Sequence, residues 1–319
     1  MGVPMAANLA AAGYAVQSYD KRGNGTHSSV RAAAKGAEIL LTMLPDGAVV
    51  REVVIEALPA LKPGALVIDM SSSDPAGTQA LAVALGAKQI GLVDAPVSGA
   101  LPKAKDGTLA IMVGGSDEDV RRARPVLEKL GRDIFHVGPV GAGHVVKALN
   151  NYLGAAGTLA GFEALLLARA FGLQPQPMLD AINASTGKNW TTERKIPLQV
   201  LTGAFASGFK LALMTKDVGI AAGLASTLGV ETPYLRETLR LWRDAAKKMP
   251  PQADHTEIYR YLARLKTPSR AARAPRARLR RAPRRSSAAA GRRRPAAAAS
   301  SRAPGRAAAR RARANRRRA

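Results

Sequence analysis

The chain has 319 residues, no cysteine and a formal charge of +25 at neutral pH. The lack of cysteine excludes disulfide bonds, thiolate catalysis and metal sites built on cysteine. The length predicts two domains. No apolar run reaches the roughly 18 residues of a membrane span, and the first residues lack the basic start of a signal peptide, so we expect a cytoplasmic protein.

The positive charge is concentrated at the C-terminal end. Residues 266–319 contain 19 Arg and one Lys without any Asp or Glu, so this tail carries +20 of the +25. Small and polar residues dominate it, and we expect it to be disordered because it cannot bury enough apolar surface to fold. Two interpretations stay open: an arm that binds nucleic acid or another polyanion non-specifically, and a reading frame lost in GC-rich DNA.

Apolar strands alternate with helices from residue 1 to about residue 140. The predicted strands are 14–19, 39–44, 65–70, 90–95 and 109–113, and the predicted helices are 3–12, 28–36, 47–60, 75–86 and 117–130. Continuous apolar strands separated by helices are typical of a parallel, doubly wound α/β sheet. After Gly143 the strand signals cease. The sequence therefore predicts an α/β domain (1–140), an all-α domain (141–265) and the basic tail (266–319).

Asp20 follows the predicted strand that comes after the opening helix. In a doubly wound sheet an acidic residue there binds a ribose 2′-hydroxyl, which favours NAD over NADP. Lys21 and Arg22 directly behind it leave NADP open, because basic groups accept a 2′-phosphate. A simple turn-forming aspartate is the alternative. The four histidines are scattered without metal-ligand spacing, so no metal site is expected.

Lys147 and Asn151 lie four residues apart in a long apolar segment that opens the predicted all-α domain. Residues four apart share one face of a helix. Lys147 is either a surface lysine that extends to water or a desolvated lysine with a depressed pKa that transfers a proton. In the second case Asn151 would hold a substrate hydroxyl.

Seven segments occur in the order and spacing of one known family. They are Met1–Ala10, Met43-Leu44-Pro45, Asp69-Met70-Ser71, Asp94–Gly99, Gly107-Thr108-Leu109, Lys147 with Asn151, and Lys216-Asp217. The chain resembles the β-hydroxyacid dehydrogenases, of the 3-hydroxyisobutyrate dehydrogenase and tartronate semialdehyde reductase type. The resemblance covers residues 1 to about 265 and implies a Rossmann-type sheet whose first strand is missing, followed by the all-α domain.

The resemblance also implies an activity and its substrate site. The family interconverts a β-hydroxy acid and its semialdehyde with NAD or NADP, and Lys147 matches its catalytic lysine. Asn151 matches the residue that orients the substrate oxygen, and Ser98 and Gly99 match the loop that binds the substrate carboxylate. Lys216 matches a second lysine near nicotinamide and substrate, with an ion pair to a carboxylate such as Asp217 as the alternative.

Cofactor contacts and assembly follow from the same resemblance. Gly2, Leu44, Pro45 and Ser71 match positions along the cofactor, together with Asp20 and Lys216. The family commonly forms homodimers or homotetramers through its helical domain, and no membrane partner is implied.

Two departures from the family pattern concern the cofactor end. The dinucleotide fingerprint is a strand followed by Gly-x-Gly-x-x-Gly, and this sequence begins at the equivalent of its last glycine, Gly2. Only 18 residues separate Asp20 from Ile39, where the family has a further helix-and-strand unit. Three hypotheses follow: an NAD(P)-dependent dehydrogenase whose sequence is imperfectly recorded, an inactive remnant that cannot hold cofactor, and a nucleic-acid-binding protein with a basic tail.

Overall fold

A computed structural model describes residues 1–265, and the predictions for the tail (266–319) lie outside this part of the chain. The first 138 residues form helices around one mixed sheet. Their elements are α1 (Gly2–Ala11), α2 (Val30–Ala34), β1 (Ile39–Thr42), α3 (Gly47–Ala57), β2 (Leu66–Asp69), α4 (Pro75–Gly86), β3 (Gly91–Asp94), β4 (Val97–Ser98), α5 (Ala100–Lys105), β5 (Leu109–Gly114), α6 (Asp117–Leu127) and β6 (Gly131–Gly138).

Helices make up nearly all the regular structure after β6. They are α7 (Ala142–Phe171), α8 (Pro175–Asn183), a π-helix (Thr191–Val200), α9 (Leu211–Thr227), α10 (Pro233–Lys248) and α11 (Ile258–Ala263). The α/β sheet followed by an all-α region is confirmed.

The sheet is mixed, which corrects the expectation that it is wholly parallel. Its order is β1-β2-β3-β5-β4, with β6 beside β5. β1, β2 and β3 run parallel, as do β5 and β6, but β5 is antiparallel to β3 and β4. The reversal arises because β4 and the six-residue α5 turn the chain back before β5 begins, without a long crossover helix on the face of the sheet.

The strand predicted at 14–19 does not form, and this prediction was wrong. Tyr14 and Tyr19 are exposed, and Ser18 bonds to Thr26 and His27 in the turn that follows. A strand is stable only when a neighbour completes its hydrogen-bond ladder. Within residues 1–265 no strand lies on the outer side of β1 to pair with this segment.

β6 was missed because its side chains do not carry the buried pattern of the other strands. Phe135 and Val137 are exposed, and most other side chains of the strand are exposed or half-buried. β2, in contrast, is buried at all four positions, which is why its apolar run was readable. The helix predicted at 28–36 is also shorter than expected, at Val30–Ala34.

Hydrophobic side chains pack on both sides of the sheet and, separately, around α7. The core around α7 is drawn from α8, the π-helix and α9 to α11, with Phe162 and Trp242 fully buried. By length and composition α7 is the one helix in residues 1–265 apolar enough to cross a membrane, yet its inner face forms the spine of this core. The proposed domain boundary at 140/141 stays a prediction.

Candidate active site

Three polar residues end the three parallel strands and lie side by side. Thr42, Asp69 and Asp94 are the last residues of β1, β2 and β3, and the strand register pairs them with one another. All three are buried, and the Thr42 hydroxyl donates to Asp69 Oδ1 over 2.8 Å. This is the strand edge where ligands bind in open α/β sheets.

The loops after β1 and β2 are tied together at this edge. Asp69 Oδ1 accepts the backbone N–H of Ser71 at 2.9 Å, and Ser71 Oγ accepts the N–H of Leu44 at 2.9 Å. Ser73 Oγ donates to the other oxygen of Asp69 at 2.8 Å. The predicted cofactor positions Leu44, Pro45 and Ser71 therefore lie on two loops that these hydrogen bonds hold together.

Asp94 joins the sheet to the start of α7. Its carboxylate accepts the backbone N–H groups of Gly141 at 2.7 Å and His144 at 2.8 Å. Gly141 directly precedes α7 and His144 lies in its first turn, so neither N–H group has a partner within the helix. The His144 side chain is buried as well, with Nδ1 2.9 Å from Thr78 Oγ1 and Nε2 3.2 Å from the Ser71 carbonyl oxygen.

Lys147 lies one turn after His144 and lines a narrow crevice. The crevice is formed with Ser72, Ser73, His144, Ala148, Asp217 and Ile220. Burial lowers the pKa of Lys147, the Asp217 carboxylate opposes this effect, and the positive charge of Lys216 adds to it. Lys147 is half-buried rather than a surface lysine on an open face. A lysine in such a setting exchanges its proton at lower pH than an exposed one.

Asn151 and Lys216 meet at the carboxylate of Asp217, which is buried at the first turns of α9. Asn151 Nδ2 donates to Asp217 Oδ2 at 2.6 Å, and Lys216 Nζ lies 2.9 Å from Asp217 Oδ1. Lys216 Nζ also donates to the Ser72 carbonyl oxygen at 2.7 Å. The ion-pair alternative for Lys216 is thus present, and it places this lysine next to the crevice that Lys147 lines.

Ser98 and Gly99 stand at the end of β4, which pairs with β5. Val97 pairs with Ile111 of β5, while the Met112 carbonyl oxygen of the same strand lies against Gly143 at the start of α7. Gly99 has φ +135°, a conformation that glycine adopts without strain. The next residue has φ +57° although it is Ala100, so a side chain occupies a left-handed backbone position there.

The predicted dinucleotide end comprises the start of α1, the linked loops at Leu44 and Ser71, and a turn that contains Asp20. α1 begins at Gly2, whose Cα region faces Met43 at the end of β1, and no side chain caps its first turn. The N–H groups of Gly2 and Val3 in this first turn, with the linked loops at Leu44 and Ser71, therefore fit a phosphate-bearing cofactor at this edge. Asp20 instead lies in a turn after the irregular segment, where its carboxylate accepts the N–H of Arg22 at 2.7 Å. Its contact with a ribose stays a prediction.

The sequence pattern did not single out Asp94 and His144 as site residues. Their role depends on a contact across about fifty positions of the chain, between a strand end and a helix start. The only local sign was an aspartate placed directly after an apolar strand, at the edge where ligands bind. Within residues 1–265 no three His, Asp or Glu side chains are arranged to hold a metal ion.

Comparison with known proteins matches both halves of the described chain. The family described as the NAD binding domain of 6-phosphogluconate dehydrogenase matches residues 1–138. The family described as "NAD-binding of NADP-dependent 3-hydroxyisobutyrate dehydrogenase" matches residues 141–262.

Individual relatives cover most of their own length. A probable 3-hydroxyisobutyrate dehydrogenase of Mycobacterium tuberculosis is 37% identical over 81% of this chain and 91% of that protein. An NAD-dependent L-serine dehydrogenase of Pseudomonas aeruginosa is 35% identical over 81% and 93%. The structure of the M. tuberculosis 3-hydroxyisobutyrate dehydrogenase with L-serine superposes with a TM-score of 0.77, at 33% identity over 82% of this chain and 95% of that one.

Proposed function

This chain belongs to the 3-hydroxyisobutyrate dehydrogenase family of β-hydroxyacid dehydrogenases, and on that premise we propose that Lys147 is its general acid and base. The protein is an NAD(P)-dependent oxidoreductase of hydroxy acids. The observation that supports the assignment is the crevice at α7, where a half-buried lysine with a lowered pKa lies beside Asp217. The hydrogen bond from Asn151 to Asp217 brings the second substrate residue to the same carboxylate.

The proposed chemistry separates the hydride from the proton. A bound nicotinamide would supply or accept the hydride at the carbon atom that carries the oxygen. In reduction, Lys147 Nζ gives a proton to the carbonyl oxygen of the semialdehyde, which becomes the hydroxyl group. In oxidation, neutral Lys147 takes the hydroxyl proton. A lysine with a lowered pKa serves both directions near neutral pH better than an ordinary one.

Asn151 and Asp217 would orient the reacting oxygen. One hydrogen of the Asn151 amide is donated to Asp217 Oδ2, and Asn150 Nδ2 donates to Asn151 Oδ1 at 3.1 Å. These two bonds fix the amide plane, and the second hydrogen on Nδ2 is left to donate to a substrate oxygen. Lys216 holds Asp217 from its other side and adds positive charge to the site.

We propose a short β-hydroxy acid as substrate, of the size of 3-hydroxyisobutyrate or L-serine. The relatives above are named for these two compounds, which share a carboxylate two carbon atoms away from the carbon bearing the reacting hydroxyl. Ser98 and Gly99 offer a hydroxyl and an unhindered N–H group as donors to that carboxylate. Either nicotinamide cofactor is compatible with Asp20, Lys21 and Arg22.

Replacing Lys147 tests the acid–base assignment. The Lys147→Ala protein should reduce semialdehyde and oxidise hydroxy acid about 10²–10⁴-fold more slowly, because proton transfer by a placed side chain contributes an effect of this size. Binding of NADH, followed by fluorescence, should stay within a few-fold of the unchanged protein. Lys188→Ala is the matched control, since Lys188 is exposed and, within residues 1–265, forms its ion pair with Glu193. Equal turnover of the two variants would remove Lys147 from the mechanism.

We further propose that the protein forms a homodimer or homotetramer through the outer face of α7. Leu149, Leu153, Leu167 and Phe171 are exposed and recur at helical spacing, so they form one apolar stripe. Large exposed apolar patches of this kind favour a second copy. Sedimentation of Leu153→Lys should show smaller particles than the unchanged protein. An unchanged mass would place the interface elsewhere.

A further inference from the structure

Asp94 caps α7 from a different element of the fold. Its side chain is fully buried at the end of β3, and its two oxygens take the N–H groups of Gly141 and His144. A carboxylate at this position satisfies donors that the helix itself cannot satisfy and complements the positive end of the helix dipole. The end of the sheet thereby fixes the start of the helix that carries Lys147.

Two glycines enclose this carboxylate so closely that it has little freedom. A Cβ atom on Gly143 would lie 2.8 Å from Asp94 Oδ2, and one on Gly114 would lie 2.5 Å from Asp94 Oδ1. Contacts at these distances are shorter than real side chains tolerate. Burial raises the pKa of Asp94, while His144 and the two N–H groups favour its charged form. The carboxylate is held in place by backbone on several sides.

The His144 side chain provides a second attachment, about one helical turn before Lys147. Its ring bonds to Thr78 on α4 and to the Ser71 carbonyl oxygen after β2. Because that carbonyl oxygen carries no hydrogen, Nε2 must be the donor. His144 and Lys147 are three residues apart, so they lie on adjoining positions of the same helix face. The ring therefore anchors the wall of the crevice in which Lys147 stands.

We propose that Asp94 and His144 act as positioning residues for Lys147, by locking the first turn of α7 to the ends of β2 and β3. We call this pair, with Thr78, the α7 clamp. The inference rests on the proposed acid–base role of Lys147. Neither Asp94 nor His144 needs to touch substrate; they set how deeply the Lys147 side chain is held in the crevice.

Loosening the α7 clamp should raise the pKa of Lys147. If the first turn of α7 frays, Lys147 gains solvent, and the burial that lowers its pKa is partly lost. The charged groups facing it are Lys216 and Asp217 on α9, and these remain in place. The pKa of Lys147 should therefore rise toward its ordinary value, and less of the neutral base should be present at neutral pH.

The first measurement tests, in the protein without bound cofactor, whether the clamp holds the first turn of α7. Asp94→Asn puts an N–H group where one carboxylate oxygen accepts a bond, and His144→Gln keeps the Asp94 bonds but shortens the link to Thr78. Amide hydrogen exchange at Gly141 and His144, resolved by NMR, should become at least about tenfold faster in Asp94→Asn. Ser116→Ala, which removes the cap of α6 in the same sheet domain, is the control for general loss of stability.

The second measurement follows Lys147 itself. The rate of amine labelling at Lys147 is measured against pH by mass spectrometry, and its midpoint should move to higher pH in both clamp variants but not in Ser116→Ala. The kcat for oxidation near neutral pH should fall about tenfold, with the KM for cofactor unchanged. A pure loss of folded protein would lower kcat without moving the labelling midpoint.

The outcomes separate this inference from the proposed function. Folded clamp variants whose exchange rates and Lys147 midpoint match the unchanged protein would overturn the clamp. If instead Lys147→Ala keeps full turnover, the acid–base role fails, while the exchange and labelling data still decide whether the clamp holds α7 and Lys147. A shifted midpoint in His144→Gln alone supports the clamp even if Asp94→Asn does not fold.

Discussion

Two lysines with lowered pKa values occupy different regions of the helical part of the protein. Lys147 lines a crevice at the start of α7, whereas Lys195, in the π-helix, is enclosed in the core, where it donates to Thr158 at 2.6 Å. Burial is the first cause of the lowered pKa in both, and it brings that of Lys195 to about 8. Desolvation is therefore common to both regions.

The neighbours of the two lysines distinguish the regions. Lys147 lies near Asp217, which also holds Asn151 and Lys216, and it lines the crevice between α7, α9 and the loop after β2. Within the part of the chain that the structure describes, no carboxylate lies within ion-pair distance of Lys195, whose ammonium group donates to the Thr158 hydroxyl instead. A lowered pKa identifies a buried lysine, and only the polar and charged groups around it indicate catalysis.

Replacing each lysine by methionine gives the largest expected difference. Lys147→Met should lower kcat about 10²–10⁴-fold, because the proton donor is lost. Lys195→Met should leave kcat within about threefold, because Lys195 has no part in proton transfer. Steady-state kinetics in both reaction directions checks the pair. A similar loss in both variants would contradict the distinction.

Lys195→Met should raise the free energy of unfolding, although it leaves kcat nearly unchanged. The folded pKa of about 8 is below the ordinary 10.5 of the unfolded chain, so the unfolded state binds more protons between these values and stability rises with pH there. The charged lysine therefore costs about 1–3 kcal/mol near pH 7. Lys195→Met should be more stable than the unchanged protein by that order at pH 7, with a smaller gain at pH 10. Urea unfolding at both pH values measures it, and a gain that grows with pH would be inconsistent with this account.

Asp217→Asn should change the pH dependence of catalysis by Lys147. The substitution removes the negative charge that raises the pKa of Lys147 and weakens the bond from Asn151. We expect kcat for reduction to fall about tenfold and its fall with rising pH to begin at lower pH, since protonated Lys147 is then less stable. Asp180→Asn, at an exposed position on α8, is the control. Identical pH profiles would show that Asp217 does not act through Lys147.

The smallest expected effect concerns Ala100. Its φ of +57° is left-handed, and a Cβ atom there costs about 1 kcal/mol relative to glycine. Ala100→Gly should therefore raise the unfolding free energy by up to about 1 kcal/mol, and a lower KM for hydroxy acid would indicate that the relaxed loop also places Ser98 and Gly99 better. Ala87→Gly, at a residue with negative φ, should destabilise instead.

Much of the fold could be predicted because local pattern and tertiary position agree. β2 is buried on both faces and reads as a continuous apolar run, and α4 begins at Pro75 after the capping Asp74. The predictions for β6 and for the segment 14–19 were wrong for opposite reasons. The first is a strand with exposed side chains, and the second is strand-like in composition but lacks a neighbour.

The site was predictable only where its residues share one element. Lys147 and Asn151 stand four apart on α7, so the sequence places them together. Asp217 approaches Asn151 from a helix 66 positions further along. Asp94 reaches His144 across 50 positions. Such pairings depend on packing between elements, which periodicity within an element does not record.

α7 is long, and the α7 clamp holds it near its start. The helix has 30 residues, which corresponds to about 45 Å, and Lys147 lies only about 9 Å from its start. A tilt of about 5° around Gly141 would shift Lys147 by less than about 1 Å but Phe171 by about 4 Å. The proton donor thus stands where the helix moves least, and mechanical disturbance at the far end reaches the chemistry strongly reduced.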